Sequence, residues 1–400
     1  MRPALWAAAF HFTLFAAYYI LRPLRDEIGS QYRDAVATSW TLVAVVCLGL
    51  VPLYSWAASR WPRGTFLPVV YRSFAAVVLL FWLALRALPE GGSLWIEMGF
   101  YTWVSVFVMF AATVFWGFMA DLFRPEQSRR MFGLLALGGS LGGVAGPLVV
   151  KLLVGPLGAA HLLLVAVALL EAAVWCQRAT ERAARSLGEP PAEVSLPVAG
   201  NAWTGIATVF GSSYLLQICA YLLVFVFGSG FLYFFQLDLA RDAFADRDAR
   251  RAFFADVDLV VNSATLLLQL FVTGRLMSRI GVGWTLTLVP LLTLLGFLGL
   301  AAAPTLGVFV VFTVLRRTGN FALSRPARET LFTVVDREQK YKSKAFLDTF
   351  VYRGGDVATS WIYQGLASLG LGLGHLALIA APFAAAGVAL ARSLGRRLRA

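Results

Sequence analysis

Two adjacent arginines lie deep inside an apolar stretch of this sequence, where they could bind an anion. Eleven apolar or weakly polar residues follow Pro304 before Arg316 and Arg317, and Asn320 comes one turn later. At about 1.5 Å per residue, Arg316 would lie about 17 Å along a helix, near the middle of a membrane. An arginine there costs about 2.5–3.5 kcal/mol by insertion scales, and guanidinium groups match phosphate and carboxylate. We predict that Arg316, Arg317 and Asn320 bind substrate, although neighbouring side chains point about 100° apart and one arginine could instead pair with another helix.

Polar residues recur at helical spacing in other apolar stretches, which predicts water-lined faces because lipid would leave such groups unsatisfied. The predicted substrate-binding residues in these stripes are Tyr18, Arg22, Arg25, Tyr233 and Arg353. The predicted coupling or gating residues are Asp258, Asn262, Gln269, Asp348 and Asp356. For the asparagine and glutamine, hydrogen bonding between helices is an equal alternative. Arg72 is an isolated cation early in the third predicted span. Snorkelling to the membrane surface or pairing with an acid explains it as well as substrate contact does.

Enzyme and metal motifs are missing from the sequence. It has three cysteines and three separate histidines, and it contains no HExxH, GxSxG or GxxxxGK[ST] pattern. These patterns position metals, catalytic serines and nucleotide phosphates. We therefore expect no enzyme activity, no metal and no cofactor.

The composition predicts an all-α integral membrane protein. Of 400 residues, 59% are hydrophobic and only 14% are charged, with a mean hydropathy of +0.73. A soluble domain is usually about 25% charged, and a membrane span needs about 20 apolar residues. Twelve such spans are predicted, at 4–21, 39–59, 65–86, 94–119, 131–153, 158–177, 213–236, 254–276, 283–302, 305–325, 345–367 and 374–392.

The positions of the cations predict the orientation of the chain. With both termini inside, 19 of the 34 lysines and arginines fall in cytoplasmic segments, nine fall outside and six lie within spans. Positive residues favour the cytoplasmic side. We therefore predict a multi-pass plasma (inner) membrane protein with both termini cytoplasmic, and its net charge of +12 needs no nucleic-acid partner. Membrane lipid is the expected partner of the basic C-terminus.

The chain divides into two similar halves. We predict an N-terminal six-helix half at 1–178, a central cytoplasmic loop at 179–205 and a C-terminal six-helix half at 206–400. Basic loops recur at corresponding positions, about 212–219 residues apart. Two related halves around a central loop are typical of transporters that bind solute near the membrane midplane.

Two motifs resemble the major facilitator superfamily. The loop from Gly274 through Arg279 to Gly281 looks like the turn after the second helix of each half, and Gly133, Gly142 and Gly146-Pro147 resemble its antiporter signature. The glycines also have a simpler interpretation, favoured here, because small residues on one face allow another helix to pack closely. The expected architecture is twelve transmembrane helices in two six-helix pseudo-repeats, major facilitator-like.

Longer segments resemble the ATP/ADP translocase family of nucleotide antiporters. They are Tyr18–Glu27, Phe115–Asp121, Pro326–Glu329 and Lys340–Asp348 continuing to Asp356. The resemblance implies nucleotide exchange. It places the family's cation at the end of helix 1 on Arg25 and its helix 11 cation most nearly on Arg353. Its proline-cation-acid run falls on Pro326, Arg328 and Glu329, and Arg328 and Glu329 are therefore also predicted coupling or gating residues. In this sequence the helix 1 position is Arg instead of Lys, and the family's helix 4 acid would fall near Val104.

The leading hypothesis is therefore a secondary-active transporter that exchanges ATP and ADP by alternating access at an Arg-lined midplane cavity. Its expected partner is a small anionic solute, a nucleotide, and the protein is expected to be a monomer. The alternative is proton-coupled transport of another phosphorylated or organic anion, with Asp258 or Asp348 carrying the proton.

Overall fold

The computed structural model describes residues 2–61, 63–87, 93–123, 125–185 and 202–398. Every regular element in these ranges is helical. The α-helices are α1 Arg2–Gln31, α2 Val36–Arg60, α3 Arg63–Ala87, α4 Leu94–Leu122, α5 Pro125–Leu157, α6 Ala159–Arg185, α7 Ala202–Phe210, α8 Ser213–Ala243, α9 Arg247–Phe271, α10 Thr273–Ala302, α11 Leu306–Gly319, α12 Arg325–Thr330, α13 Arg337–Phe346, α14 Tyr352–Ser368 and α15 Leu373–Arg397.

Five-residue π-helical segments join two pairs of these helices. Asn320–Ser324 connects α11 to α12, and Leu347–Val351 connects α13 to α14. A short 3₁₀ turn, Arg33–Ala35, follows α1. A π segment accommodates an extra residue in a helical turn, and such segments are frequent at functional sites.

Eleven helices in the described ranges are long and apolar enough to cross a membrane, which agrees with the predicted all-helical membrane fold. The predicted span at 345–367 is not among them. It corresponds to the end of α13, the second π segment and most of α14, and it includes Arg353 and Asp356, which lower its hydropathy. The remaining eleven predicted spans each overlap one of these helices.

Helices α9 and α10 begin well before the spans predicted from the sequence. Helix α9 begins at Arg247, seven residues before the predicted start at 254. Its first turns therefore contain Arg247, Arg250 and Arg251, which the orientation prediction counts among the nine outside cations. Helix α10 begins at Thr273, although a loop was expected up to 282. The expected break is reduced to a kink at Gly281, whose φ of 76° suits a residue without a side chain.

Two compact units can be distinguished. The first holds the described residues up to Arg185 together with Phe244–Ser263, and α1 packs in it against α4, α5 and α6. The second holds the described residues from Ala202 to Ala243 and from Ala264 onward, and α10 packs in it against α15. Most of the predicted central loop, residues 186–201, lies outside the described residues.

The glycines of α5 form the surface on which α1 packs. A Cβ added at Gly138 would lie 2.2 Å from the carbonyl oxygen of Ala8, and one at Gly142 would lie 2.3 Å from that of Phe12. The predicted close packing on the small-residue face is therefore present. By contrast, a Cβ at Gly133, the first glycine of the antiporter-like pattern, would meet nothing within 4 Å.

This contrast gives a test of stability. We expect Gly142→Ala to destabilise the protein by about 1–3 kcal/mol, because the new methyl group would push α1 away from α5. Gly133→Ala should be neutral or slightly stabilising, because alanine is the better helix former. Thermal unfolding of both purified variants in detergent measures the difference, and equal melting temperatures would contradict the packing argument.

Candidate substrate-binding site

Arg316 is buried in the second unit with neutral partners. The residue is 4% exposed. Its Nε donates to Thr293 Oγ1 at 3.0 Å, and its Nη2 donates to Ser229 Oγ at 2.8 Å and to the carbonyl oxygen of Phe225 at 3.3 Å. No carboxylate of the described residues forms an ion pair with it. The guanidinium is held in place while its positive charge is not neutralised.

Arg316 and a second arginine, Arg328, both lie near the aromatic ring of Phe225. The guanidinium carbon of Arg316 lies 5.1 Å from the ring centroid of Phe225, and that of Arg328 lies 4.8 Å from it. Arg328 also donates from Nη1 to the hydroxyl of Tyr352 at 2.5 Å. Two cations therefore share one ring, an arrangement in which each is attracted to the π-electrons and repelled by the other.

The π segment explains how both arginines face Phe225. In a regular α-helix, residues twelve positions apart would point about 120° away from each other, at about 100° per residue. One extra residue accommodated in Asn320–Ser324 reduces the separation to that of eleven residues, about 20°. Arg316 and Arg328 consequently lie on nearly the same face, a relation that the sequence spacing alone does not indicate.

Asn320, at the start of this π segment, has an unsatisfied polar atom. Its Oδ1 is buried and accepts no hydrogen bond within the part of the chain that the structure describes. An unsatisfied buried polar atom costs about 1–3 kcal/mol, so a water molecule or a ligand donor is the expected partner. Arg317 is half-buried in the last turn of α11.

The remaining candidate residues of the second unit have other contacts. Arg353 pairs with Asp356 at 3.2 Å, and Glu329 pairs with Lys344. Tyr233 is half-buried and packs edge-on against Phe234. The prediction for Asp348 falls on a side chain outside those that the structure describes.

In the first unit, the arginines at the end of α1 are paired with acids. Arg22 Nη1 lies 3.3 Å from Asp258 Oδ1 and its Nε lies 3.6 Å from Asp26 Oδ2. Arg25 donates to Asp26 Oδ1 from Nε at 2.9 Å and from Nη2 at 2.6 Å. Asp26 and Asp258 are each 1% exposed. The structure thus brings together Arg22, Arg25 and Asp258 in a charge-balanced group.

A second ionic group in this unit was not foreseen from the sequence. Arg247 donates to both oxygens of buried Glu27, at 2.7 and 3.0 Å, and to both oxygens of buried Glu97, at 3.2 and 2.6 Å. Arg250 and Arg251 approach Glu27 at 3.5 and 3.2 Å. These three arginines lie in the first turns of α9 rather than in a loop, and each approaches a carboxylate far away in the sequence.

We expect Arg247→Ala to destabilise the protein by about 3 kcal/mol or more, because removing one partner leaves buried carboxylates insufficiently compensated. Arg241→Ala is the control, since Arg241 is exposed and should change stability by less than about 0.5 kcal/mol. Adding Glu97→Gln to Arg247→Ala should recover part of the loss. Thermal unfolding in detergent measures all three variants, and an unchanged melting temperature for Arg247→Ala would refute the role of the ion pairs.

The two polar amides are hydrogen bonded to backbone. Asn262 Nδ2 donates to the carbonyl oxygen of Gly143 at 2.6 Å, and Gln269 Nε2 donates to that of Phe321 at 3.2 Å. These bonds match the alternative of hydrogen bonding between helices.

Arg72 and Tyr18, two further candidates from the sequence, each contact other side chains of the first unit. Arg72 pairs with Glu171 at 2.5 Å, so the acid-pairing alternative applies to it. Tyr18 is half-buried and packs edge-on against Phe15 and Tyr19.

The fold resembles those of solved transporters, although no family model and no curated protein matches the chain. The nucleoside transporter NupG has a TM-score of 0.68 at 14% identity, over 100% of this chain and 99% of that chain. A POT family transporter in complex with a thioalcohol-conjugated peptide has a TM-score of 0.65 at 11% identity, over 96% and 94%. A bacterial homolog of the human lysosomal transporter Spinster has a TM-score of 0.65 at 13% identity, over 100% and 98%. The chain therefore has the major facilitator-like fold that its sequence predicts.

Proposed function

We propose that this protein is a secondary-active transporter of a small phosphorylated anion, working by alternating access. The fold supports this proposal, since the solved structures similar to it include nucleoside and peptide transporters. In the proposal, the six-helix halves at 1–178 and 206–400 are the moving parts, both termini are cytoplasmic and the protein is a monomer. No catalytic or metal-binding role is assigned, and the side chains that the structure describes include no group of metal-ligating residues.

The observation that carries the proposal is the uncompensated charge of Arg316. Burying a cation away from water is costly unless an opposite charge accompanies it. Arg22, Arg25 and Arg247 meet that requirement with carboxylates of the protein, whereas the hydrogen-bond partners of Arg316 are neutral. A transported anion would supply the missing negative charge while it is bound.

The type of cation favours a phosphoryl group in the substrate. Guanidinium groups bind phosphate oxygens through paired hydrogen bonds, and arginine keeps its charge at all physiological pH values. Arg328 adds a second cation beside the ring of Phe225, so two or more phosphate charges can be compensated. Arg317 and the unsatisfied Oδ1 of Asn320 lie on the same continuous helical segment.

Within this class, a nucleotide exchanged as ATP against ADP is the proposed substrate. Its support is the resemblance of Tyr18–Glu27, Pro326–Glu329 and Lys340–Asp356 to the nucleotide antiporters. That resemblance assigns substrate contacts to Arg25 and Arg353, which are ion-paired in this structure with Asp26 and Asp356. Substrate phosphates would compete with these carboxylates for the guanidinium groups.

We expect Arg316→Gln to lower the uptake of labelled ATP into ADP-loaded vesicles by about thirtyfold or more. Truncating one partner of a buried charged hydrogen bond costs about 2–5 kcal/mol, and about 2 kcal/mol corresponds to about thirtyfold. Arg182→Gln is the control, because Arg182 is exposed on α6.

Melting temperatures measured without substrate distinguish loss of binding from loss of folding. The ATP-induced rise in melting temperature should disappear in Arg316→Gln and remain in Arg182→Gln. Unchanged uptake in a folded Arg316→Gln protein would refute the proposed site.

The alternative is proton-coupled transport of another anion, and the pairing of Arg22 with Asp258 favours it. A carboxylate that exchanges an arginine for a proton can couple proton flow to solute movement, and Asp258 is 1% exposed. Uptake into vesicles without internal solute, driven by a pH gradient and abolished in Asp258→Asn, would support this alternative. Uptake that requires internal ADP and ignores the gradient would support exchange.

A further inference from the structure

Helix α10, just after its kink at Gly281, crosses the C-terminal end of α15 at a pair of glycines, and an open pocket lies beside the crossing. A Cβ at Gly283 would lie 2.7 Å from Cα of Gly395, so the two backbones are in direct contact. The pocket beside the crossing is lined by these glycines together with Trp284, Arg392 and Arg396. Its walls are therefore backbone, one indole ring and two guanidinium groups.

The two arginines have cationic groups available to a ligand. The guanidinium carbon of Arg392 lies 3.6 Å from the ring centroid of Trp284, and such stacking leaves the N–H edge of the guanidinium available for hydrogen bonds. No hydrogen bond or ion pair to the described residues involves the side chain of Arg392 or Arg396. Like charges four residues apart on a helix repel each other, so an anion between them would relieve the repulsion.

An apolar stripe leads away from this pocket along α10. After Trp284 come Leu288, Leu291, Leu295 and Leu298, at intervals of three or four residues that place them on one helix face. Trp284 is 49% exposed, and the last three leucines are 40%, 57% and 45% exposed. The stripe extends over about 21 Å of helix, which exceeds the thickness of about 15 Å of one hydrocarbon leaflet.

We propose that this pocket binds an anionic phospholipid, with its phosphate between Arg392 and Arg396 and an acyl chain along the leucines of α10. The phosphate matches the two guanidiniums, and the apolar stripe favours a lipid over free phosphate because only a lipid carries a chain to cover it. The distribution of cations predicts the cytoplasmic side for this end of the chain, where anionic lipids attract basic residues. The site is separate from the proposed substrate site and does not depend on it.

The test uses delipidated full-length protein in neutral detergent. Native mass spectrometry would measure binding of phosphatidylglycerol and of phosphatidylcholine, and thermal unfolding would measure stabilisation by each lipid and by inorganic phosphate or ATP. The site variant is Arg392→Gln with Arg396→Gln. The control, Arg178→Gln with Arg182→Gln, removes the same charge from exposed positions on α6.

We expect phosphatidylglycerol to bind the unmodified and control proteins, and the site variant to bind it about tenfold or more weakly. Trp284→Leu, which removes the stacking partner of Arg392, should also weaken binding. Melting temperatures without lipid establish that each variant is folded.

Several results would overturn the proposal. They are equal binding of phosphatidylcholine and phosphatidylglycerol, equal loss of binding in the site and control variants, and stabilisation at this site by inorganic phosphate or ATP but not by lipid. Formation of a dimer that binds no phosphatidylglycerol would also overturn it, since a second copy would then cover the stripe. A failed ATP-transport assay would leave these readouts unaffected.

Discussion

The need to compensate charge inside apolar helices governs the first unit. The two carboxylates of Glu27 and Glu97 are buried, and the guanidinium of Arg247 bonds to all four of their oxygens. This one side chain therefore links the end of α1, the start of α4 and the start of α9. Without it, the buried carboxylates of Glu27 and Glu97 would lose these four hydrogen bonds, so the local arrangement of the three helix ends depends on the arginine.

In the second unit, by contrast, the hydrogen-bond partners of the buried Arg316 are neutral. Arg316 is surrounded by two hydroxyl groups, one carbonyl oxygen and an aromatic ring, which orient a guanidinium but do not cancel its charge. Neutral donors and acceptors stabilise a cation less than a carboxylate does. This difference between Arg316 and the arginines of the first unit is the physical basis for proposing an anionic substrate. Arg22, Arg25 and Arg247 have carboxylate counterions in the protein, whereas a bound anion would supply the counterion of Arg316.

The sequence predicted features that depend on neighbouring residues, such as helix length. It did not predict contacts between residues that are far apart in the sequence. Apolar lengths predicted the membrane helices, and the glycines of α5 predicted the close approach of α1, because both properties depend on residue size and polarity along one helix. The ion pairs of Arg247 join positions up to 220 residues apart, and no local pattern identifies such partners. The π segments also lack a sequence signal, although Asn320–Ser324 determines that Arg316 and Arg328 both face Phe225.

The extra residue in Asn320–Ser324, a surplus of one over the turns of a regular helix, also sets the direction in which Arg328 points relative to Arg316. If the surplus moved beyond Arg328, that side chain would rotate by about 100° about the helix axis, while Arg316 would stay against Phe225. The two guanidinium groups could thus be separated by a twist of one short segment, without a rigid-body movement of the surrounding helices.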